Sequence, residues 1–271
     1  MTAKTSSRVT ALTRNPETAR GLTLQGVNAV IADLATEEWH ARVEGAPDFA
    51  LNCVSSGGGG IEGYRRSYVD GMASIAAWAR THGAVGTMVY TGSTSVYPQD
   101  GGAVVDETSQ VGSDAERPQL LLQAEATLSG ASDSWRRWFI LRLAGIYGPE
   151  RHMLLEQVRS GTVAGKGEHH LNLIHRDDAV AAIAAGFAAR TNIASQVLNV
   201  ADDGAARKRE VVEWLAAALG VPAPAFSGEP ASGRRVVTPD RVIANTRCKA
   251  VFGWSPKFST FRDGYASLLS R

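Results

Sequence analysis

Thiols are scarce in this sequence: its two cysteines, Cys53 and Cys248, stand far apart among apolar residues. They cannot build a disulfide framework or a four-thiolate zinc site, so they read as core fillers of a protein from a reducing compartment. Excess charge is equally scarce. With 28 Lys and Arg against 27 Asp and Glu the formal net charge is +1, too little for a global field that would hold nucleic acid or an anionic membrane. No apolar run reaches membrane-spanning length, and the polar opening Met1–Ser7 (MTAKTSS) has no apolar stretch behind it. The simplest location is cytoplasmic. Histidine pairs with metal-ligand spacing are missing too. His169 and His170 are adjacent and point apart in a strand, and His40, His82, His152 and His175 have no partner four residues away. No metal site is expected.

What remains suits a folded α/β chain. Its 271 residues are 44% hydrophobic and 20% charged, near the globular norm and enough for one large core with or without a small appendage. Runs rich in β-branched and other apolar residues read as buried strands: Arg8–Leu12 (RVTAL), Asn28–Ile31 (NAVI), Phe49–Val54 (FALNCV), Thr87–Thr91 (TMVYT) and Phe139–Leu143 (FILRL). Helix patterns lie between them. From Ile61 to His82, Tyr64, Tyr68, Met72, Ile75 and Ala79 recur every three or four positions, and Gly83 supplies a stop. This alternation predicts βαβ crossovers and a doubly wound parallel sheet. In the last third, VPAP (Val221–Pro224) and EPASG (Glu229–Gly233) separate shorter elements. Asp177 or Asp178 can cap the Ala-rich helix that follows, and Lys208–Leu219 is an amphipathic helix closed by Gly220. We therefore expect a core over residues 1–165, rejoined by parts of 172–203, and a smaller α/β lobe over 204–271.

Ligands of open parallel sheets bind beyond the carboxyl ends of the strands, so the residues after each strand are the candidates. Arg14 follows the first. In a dinucleotide fold a carboxylate at that place reads the free ribose 2′-hydroxyl and an arginine reads a 2′-phosphate, so Arg14 leans toward NADP over NAD, its alternative being a solvated turn residue. Asp33, after NAVI, joins the cofactor-binding candidates. The run Ser55-Ser56-Gly57-Gly58-Gly59-Gly60 can turn N–H groups toward a phosphate or ribose, which singles out Ser55, Gly57 and Gly58, or it can be a flexible linker. It has neither GxGxxG spacing nor a Walker lysine. Hydroxyls from Thr91 to Ser95 can polarise a substrate carbonyl, or cap and turn. Leu143–Pro149 (LAGIYGP) can line a flat ring through Ile146 and Tyr147, or form a packed corner. The aspartates of Asn172–Asp178 are explained by capping.

In order, and over nearly the whole chain, these segments resemble the NAD(P)-dependent epimerase/dehydratase family, the extended short-chain dehydrogenase/reductases, and most of all its atypical branch. STSVY (Ser93–Tyr97) is similar to the family's strand-end motif and puts Ser93 where the family has its catalytic Ser or Thr. LRLAGIYGP (Leu141–Pro149) is similar to the segment that passes the nicotinamide, which implies ring contacts for Ile146 and Tyr147. NLIHRDDA (Asn172–Ala179) resembles the aspartate-pair motif, and RVIANTRCKAVFGWSP (Arg241–Pro256) the closing region. The resemblance implies a Rossmann-like NAD(P)-binding core and an oxidoreductase acting on a carbonyl or sugar-nucleotide type of small molecule.

Two departures stand beside these matches. The family's proton-transfer pair, Tyr-x-x-x-Lys, falls on Arg117 and Leu121 when the helix ending in Ala124-Glu125 is aligned. Arginine holds its proton too tightly to shuttle it and leucine has none, which leaves Tyr97 as the nearby phenol that could substitute. RVTALTRN matches the family's second strand, so the first strand and its Gly-rich loop are missing. In the order 3-2-1-4-5-6 that leaves two edges about 10 Å apart. An upstream coding segment, a truncated gene, direct pairing of the flanking strands or a strand donated by a partner would each answer the gap, and a homodimer is compatible with the last. The same departures define an alternative function: a non-catalytic NADP-binding or regulatory module, a pseudoenzyme or truncated product, with no cofactor bound by this chain as its limit.

Overall fold

Apolar runs form strands here, but the expected two-sided burial holds only for Val85–Ser93 and Trp135–Leu143, while Thr10–Thr13, Asn28–Ile31 and Phe49–Asn52 are mostly exposed or half-buried. In the computed structural model, which describes residues 8–112, 114–229 and 239–270, the strands in chain order are β1 (Thr10–Thr13), β2 (Asn28–Ile31), β3 (Phe49–Asn52), β4 (Val85–Ser93), β5 (Ala103–Val105), β6 (Trp135–Leu143) and β7 (Gly145–Tyr147); the five expected runs are β1 to β4 and β6, and β5 and β7 are additions. The opening Met1–Ser7 and most of the Glu229–Gly233 connection lie outside the described residues. β1 and β2 pair in parallel, from Thr10 opposite Asn28 to Thr13 opposite Ile31. A four-stranded sheet has the order Gln196–Val200, β6, β4, β3, and its first pair is parallel with Val200 opposite Leu143. Helices α1 (Pro16–Leu24), α2 (Gly60–Tyr64), α3 (Gly71–His82) and α4 (Glu116–Gly130) alternate with these strands. The chain is thus α/β, with the doubly wound parallel arrangement that the alternation predicts.

The chain packs as two compact units, Met1–Met88 with Ala115–Trp138, and Val89–Asp114 with Phe139–Arg271. In the first, Met72, Ala76, Trp78, Leu121 and Leu128 are buried. Trp39 lies against Trp78, ring centroids 5.4 Å apart, and its indole N–H donates to Leu34 and Ser74. The second unit carries α5 (Met153–Arg159), α6 (Arg176–Ala188), α7 (Lys208–Leu219), α8 (Thr246–Phe252) and α9 (Phe261–Leu269). Its core joins Tyr147, Leu155, Val211, Leu215, Phe261 and Tyr265. α7 has the predicted bounds and closes on Gly220 at φ 68°, a left-handed turn that glycine enters without a Cβ penalty. α9 opens on a capping box between Thr260 and Asp263.

Several local expectations are corrected. β6 starts four residues early because WRRW, which does not read as a strand, is satisfied sideways: the Trp135 indole donates to Leu128 O and Arg137 to Thr87 Oγ1. The long helix around residue 70 is interrupted by a π-type stretch at Arg65–Asp70, and the extra residue shifts the buried face. Met72, Ile75 and Ala79 are buried as expected, whereas Tyr64 and Tyr68 are only half-buried and Ser67 takes an inner place. α6 is capped by neither aspartate: His175 is the N-cap, its Nδ1 accepting the Asp177 N–H at 3.2 Å. Cys248 fills the core, but Cys53 is exposed. It follows β3, whose Phe49 and Leu51, two positions apart and so on one face, are 53% and 41% exposed.

Among the described residues no strand precedes Thr10, and β1 and β3 belong to different sheets. An end strand with exposed apolar residues is an aggregation hazard. Leu51→Lys should therefore lower light scattering of the warmed protein while moving Tm by no more than about 2 °C, since exposed substitutions cost little. Scattering unchanged from the parent would show that this face does not drive association.

Candidate functional site

In the first unit three chain segments bring charged groups to one point. Asn15 caps α1 with its side-chain oxygen, 2.8 Å from the Glu17 N–H and 3.2 Å from the Thr18 N–H, which fixes the turn after β1 and with it Arg14. Asp33 follows β2, and one carboxylate oxygen accepts the Ala35 N–H at 2.9 Å. Its other oxygen lies 2.9 Å from Arg66 Nε and 3.7 Å from Arg14 Nη1. Partial burial pushes the Asp33 carboxyl up, but the Ala35 N–H and the Arg66 and Arg14 charges outweigh it and hold it below the usual carboxylate range.

The glycine run after β3 reaches the same point. Gly57, Gly58, Gly59 and Gly60 all take positive φ, between 61° and 91°. A Cβ on Gly57 would sit 2.1 Å from Arg14 Nη2, and one on Gly63 would sit 1.8 Å from Gly58 O. The positive φ values favour glycine along the run, and at Gly63 the Gly58 carbonyl leaves no room for a Cβ, whereas at Gly57 a Cβ would have to push aside the tip of Arg14. Arg14, Asp33 and Gly57 thus come together, while Ser55 and Gly58 are exposed on the same loop. Arg66, not singled out from the sequence, is the added member. Its signal was the pair of arginines in YRRSYVDG, but its partner stands 33 residues away.

The second unit holds the strand-end hydroxyls. Ser93 and Thr91 are half-buried at the end of β4. Ser93 Oγ accepts the Ser95 N–H at 3.2 Å, an arrangement that leaves the hydroxyl proton to be donated elsewhere. Tyr97 is 1% exposed. Its hydroxyl donates to Asn199 Oδ1 and accepts from Arg142 Nη1, both at 2.9 Å, and Asn199 N–H donates to Glu107 Oε1 at 2.6 Å. Burial raises the Tyr97 pKa more than Arg142 and the hydrogen bonds lower it. The family's tyrosine needs the opposite shift. A substrate oxygen would have to displace Asn199 to take this proton.

Further along, Ile146 is half-buried on β7, and Tyr147 is enclosed. The Tyr147 ring stacks on Tyr265 at 4.6 Å and meets the edge of His175 at 5.4 Å, and a Cβ on Gly264 would lie 1.8 Å from its hydroxyl. That is the packed-corner geometry, and of the two residues Ile146 is the one left partly open. In the motif after it, Asp178 is buried and accepts the N–H groups of Lys257 and Phe258 at 2.7 and 2.9 Å. Asp202 is buried with one oxygen accepting from Gly204 at 3.1 Å and the other without a partner. Burial first, then the charges of Asp203, Asp178 and Asp263, push its pKa up to about 7. Among the described residues no three His, Cys, Asp or Glu side chains gather to hold a metal, and no helix is long and apolar enough to cross a membrane.

Residues 1–201 match the NAD dependent epimerase/dehydratase family. This chain belongs to that family. The protein YeeZ of Escherichia coli K12 is 29% identical over 161 residues, 58% of this chain and 55% of YeeZ, so the chain spans about half the length of the curated relatives it matches. The UDP-glucose 4-epimerase of Thermotoga maritima, solved with UDP-glucose, superposes with a TM-score of 0.80 at 16% identity, covering 98% of this chain and 90% of that one. The dTDP-glucose 4,6-dehydratase of Bacillus anthracis, solved with NAD, gives 0.78 at 16% identity, covering 98% and 88%. At such identities these structures share the fold.

At the two helix positions where sequence aligns the family's Tyr-x-x-x-Lys pair, the structure shows the surroundings of what stands there. Arg117 is exposed on α4, its guanidinium carbon 5.4 Å from the centre of the Tyr64 ring, and Leu121 is buried in the core. Neither position holds a group that can exchange a proton near neutrality.

Two predictions follow from these environments. Tyr97→Phe should cost about 1–3 kcal/mol in urea unfolding, because it strips a partner from buried Arg142 and Asn199; an unchanged stability with lost turnover would instead mark Tyr97 as an acid. Asp202 is raised from about 3.9 in the unfolded chain to about 7 in the fold, so its contribution is complete below pH 4 and lost as pH rises to 7. Asp202→Asn should add about 2 kcal/mol at pH 8, add little at pH 4, and flatten the profile between. Equal effects at both pH values would refute the assignment.

Proposed function

We infer that this chain binds a nicotinamide dinucleotide, NADP rather than NAD, and serves as an oxidoreductase-like member of the family on a carbonyl or sugar-nucleotide type of small molecule. The observation that carries the reading is the convergence of Arg14 and Gly57 on one point, in a chain whose residues 1–201 match the family. Four successive glycines at positive φ leave the loop without side chains, which suits a ligand that approaches the backbone closely. Arg14 and Gly57, with Ser55 and Gly58 on the same loop, would hold the adenosine end; the candidacy of Thr91 and Ile146, in the second unit, rests on the family resemblance of their segments. The cofactor, when bound, supplies or accepts hydride. Ser93 keeps its proton and would polarise a substrate carbonyl by donating a hydrogen bond from Oγ–H to the oxygen on which charge develops. UDP-glucose, the ligand of the Thermotoga neighbour, is the first substrate to try. Tyr97 takes no part in this reading, because its hydroxyl proton is already given to Asn199.

A second reading, a non-catalytic NADP-binding or regulatory module in the cytoplasm, is favoured by one observation: the aligned proton-transfer positions are an exposed arginine and a core leucine. Titration with NADPH and NADH, followed by nicotinamide fluorescence, tests what the two readings share. NADPH should bind more tightly than NADH, and Arg14→Gln should remove most of that difference; binding of neither nucleotide defeats both readings. With UDP-glucose and NADP supplied, turnover that Ser93→Ala lowers by about 100-fold supports the enzyme. Binding of the cofactor without turnover on any carbonyl or sugar nucleotide tried favours the module.

A further inference from the structure

We propose that Arg66 is a second phosphate-reading residue, and that Asp33 positions it rather than reading the ribose itself. This rests on the cofactor reading above. A carboxylate that recognises a free ribose must have oxygens open to accept from its hydroxyls. In Asp33 both oxygens already take a donor from the protein: one accepts the Ala35 N–H, and the other accepts from Arg66 Nε with Arg14 Nη1 3.7 Å away. A ribose hydroxyl would have to share an oxygen already turned toward these groups.

The arginines are in the converse state. Arg66 uses Nε toward Asp33, and Arg14 meets the same oxygen at the looser 3.7 Å. Their side chains are about half exposed, 51% and 48%. Each guanidinium carries five N–H donors, and at this exposure several of them face solvent. Two positive charges against one negative leave the trio at +1 before any ligand arrives. A ribose monophosphate supplies what is lacking: two negative charges and three acceptor oxygens, suited to two planar donors held at fixed spacing. A ribose hydroxyl offers neither.

Backbone geometry explains why Arg66 is in place. It lies in the π-type stretch Arg65–Asp70, next to the glycine loop that Arg14 crosses. Each added residue turns a helix by roughly 100°, so the π insertion re-aims side chains on one side of it relative to the other. Ser67 Oγ donates to Ser56 O at 3.3 Å, which ties this stretch to the loop it serves. The ligand class is therefore an adenosine carrying a phosphate on its ribose, contacted by residues from the ends of β1 and from the helix after β3.

The test compares NADPH, NADH and 2′,5′-ADP as ligands of the full chain. Arg66→Gln should weaken NADPH and 2′,5′-ADP by about tenfold or more, the worth of a charge-assisted hydrogen bond, and leave NADH within twofold. Arg66→Lys, which keeps the charge but loses the fork, should fall between. The slope of log Kd against log salt for 2′,5′-ADP should also be shallower in Arg66→Gln, since one phosphate contact is gone. Equal losses for NADPH and NADH, or none, would overturn the role of Arg66 while leaving the cofactor reading intact. Were the parent to bind neither dinucleotide, both would fall. Should Arg66→Gln fail to fold, as near-ultraviolet circular dichroism would reveal, the lysine variant carries the same comparison.

Discussion

Among the described residues β1 and β3 stand at the ends of different sheets, and side chains link the segments that follow them. β1 pairs with β2, while β3 ends another sheet. Within the first unit, the loop after β2 is fastened to the helix after β3 by three kinds of contact. Trp39 packs on Trp78 and bonds to Ser74, Leu34 fits against Gly71, and Asp33 faces Arg66. Their energies differ. Half-exposed ion pairs give about 0–1 kcal/mol, whereas a buried tryptophan gives several times that. The aromatic contacts therefore bind the pieces together, and the ion cluster sets where the guanidiniums point.

This division of labour lets one cluster serve structure and recognition at once. A ligand phosphate that drew Arg14 or Arg66 would cost little fold stability, because little is stored in those exposed pairs. Asp33 stays ionised, since its pKa is held low, and so keeps both cations at one spacing through the neutral range. The glycines complete the arrangement by letting the loop pass beneath Arg14.

Much of this was legible in advance and some of it could not be. β2 and α7 have the predicted bounds, because each combines an unambiguous period with a clear stop. The candidates Arg14, Asp33 and Gly57 came from the rule that ligands sit beyond strand ends, and they do converge. Arg66 was hidden, since a π-type stretch leaves no distinct period in the sequence and its partner is 33 residues distant. WRRW hid the start of β6 because its polar atoms find partners sideways. His175 took the cap that aspartate usually takes, which released Asp178 for a contact with Lys257 and Phe258 that no local pattern announces.

Asp178 and Asp202 are buried carboxylates of one unit, and they show how partners decide what burial does. Asp178 has an N–H for each oxygen, at 2.7 and 2.9 Å, and these two bonds pin the chain before α9. Asp202 has one such bond at 3.1 Å and an oxygen facing no donor. There the desolvation cost is not met, and the proton is retained to about pH 7. A raised carboxyl pKa is often taken to mark a catalytic acid. Here the shift has a sufficient structural cause: Asp202 is sealed, its neighbours are other carboxylates, and the one bond to its carboxylate comes from the Gly204 N–H. The half-buried Ser93 hydroxyl, whose pKa plays no part, is the better placed to meet a substrate oxygen.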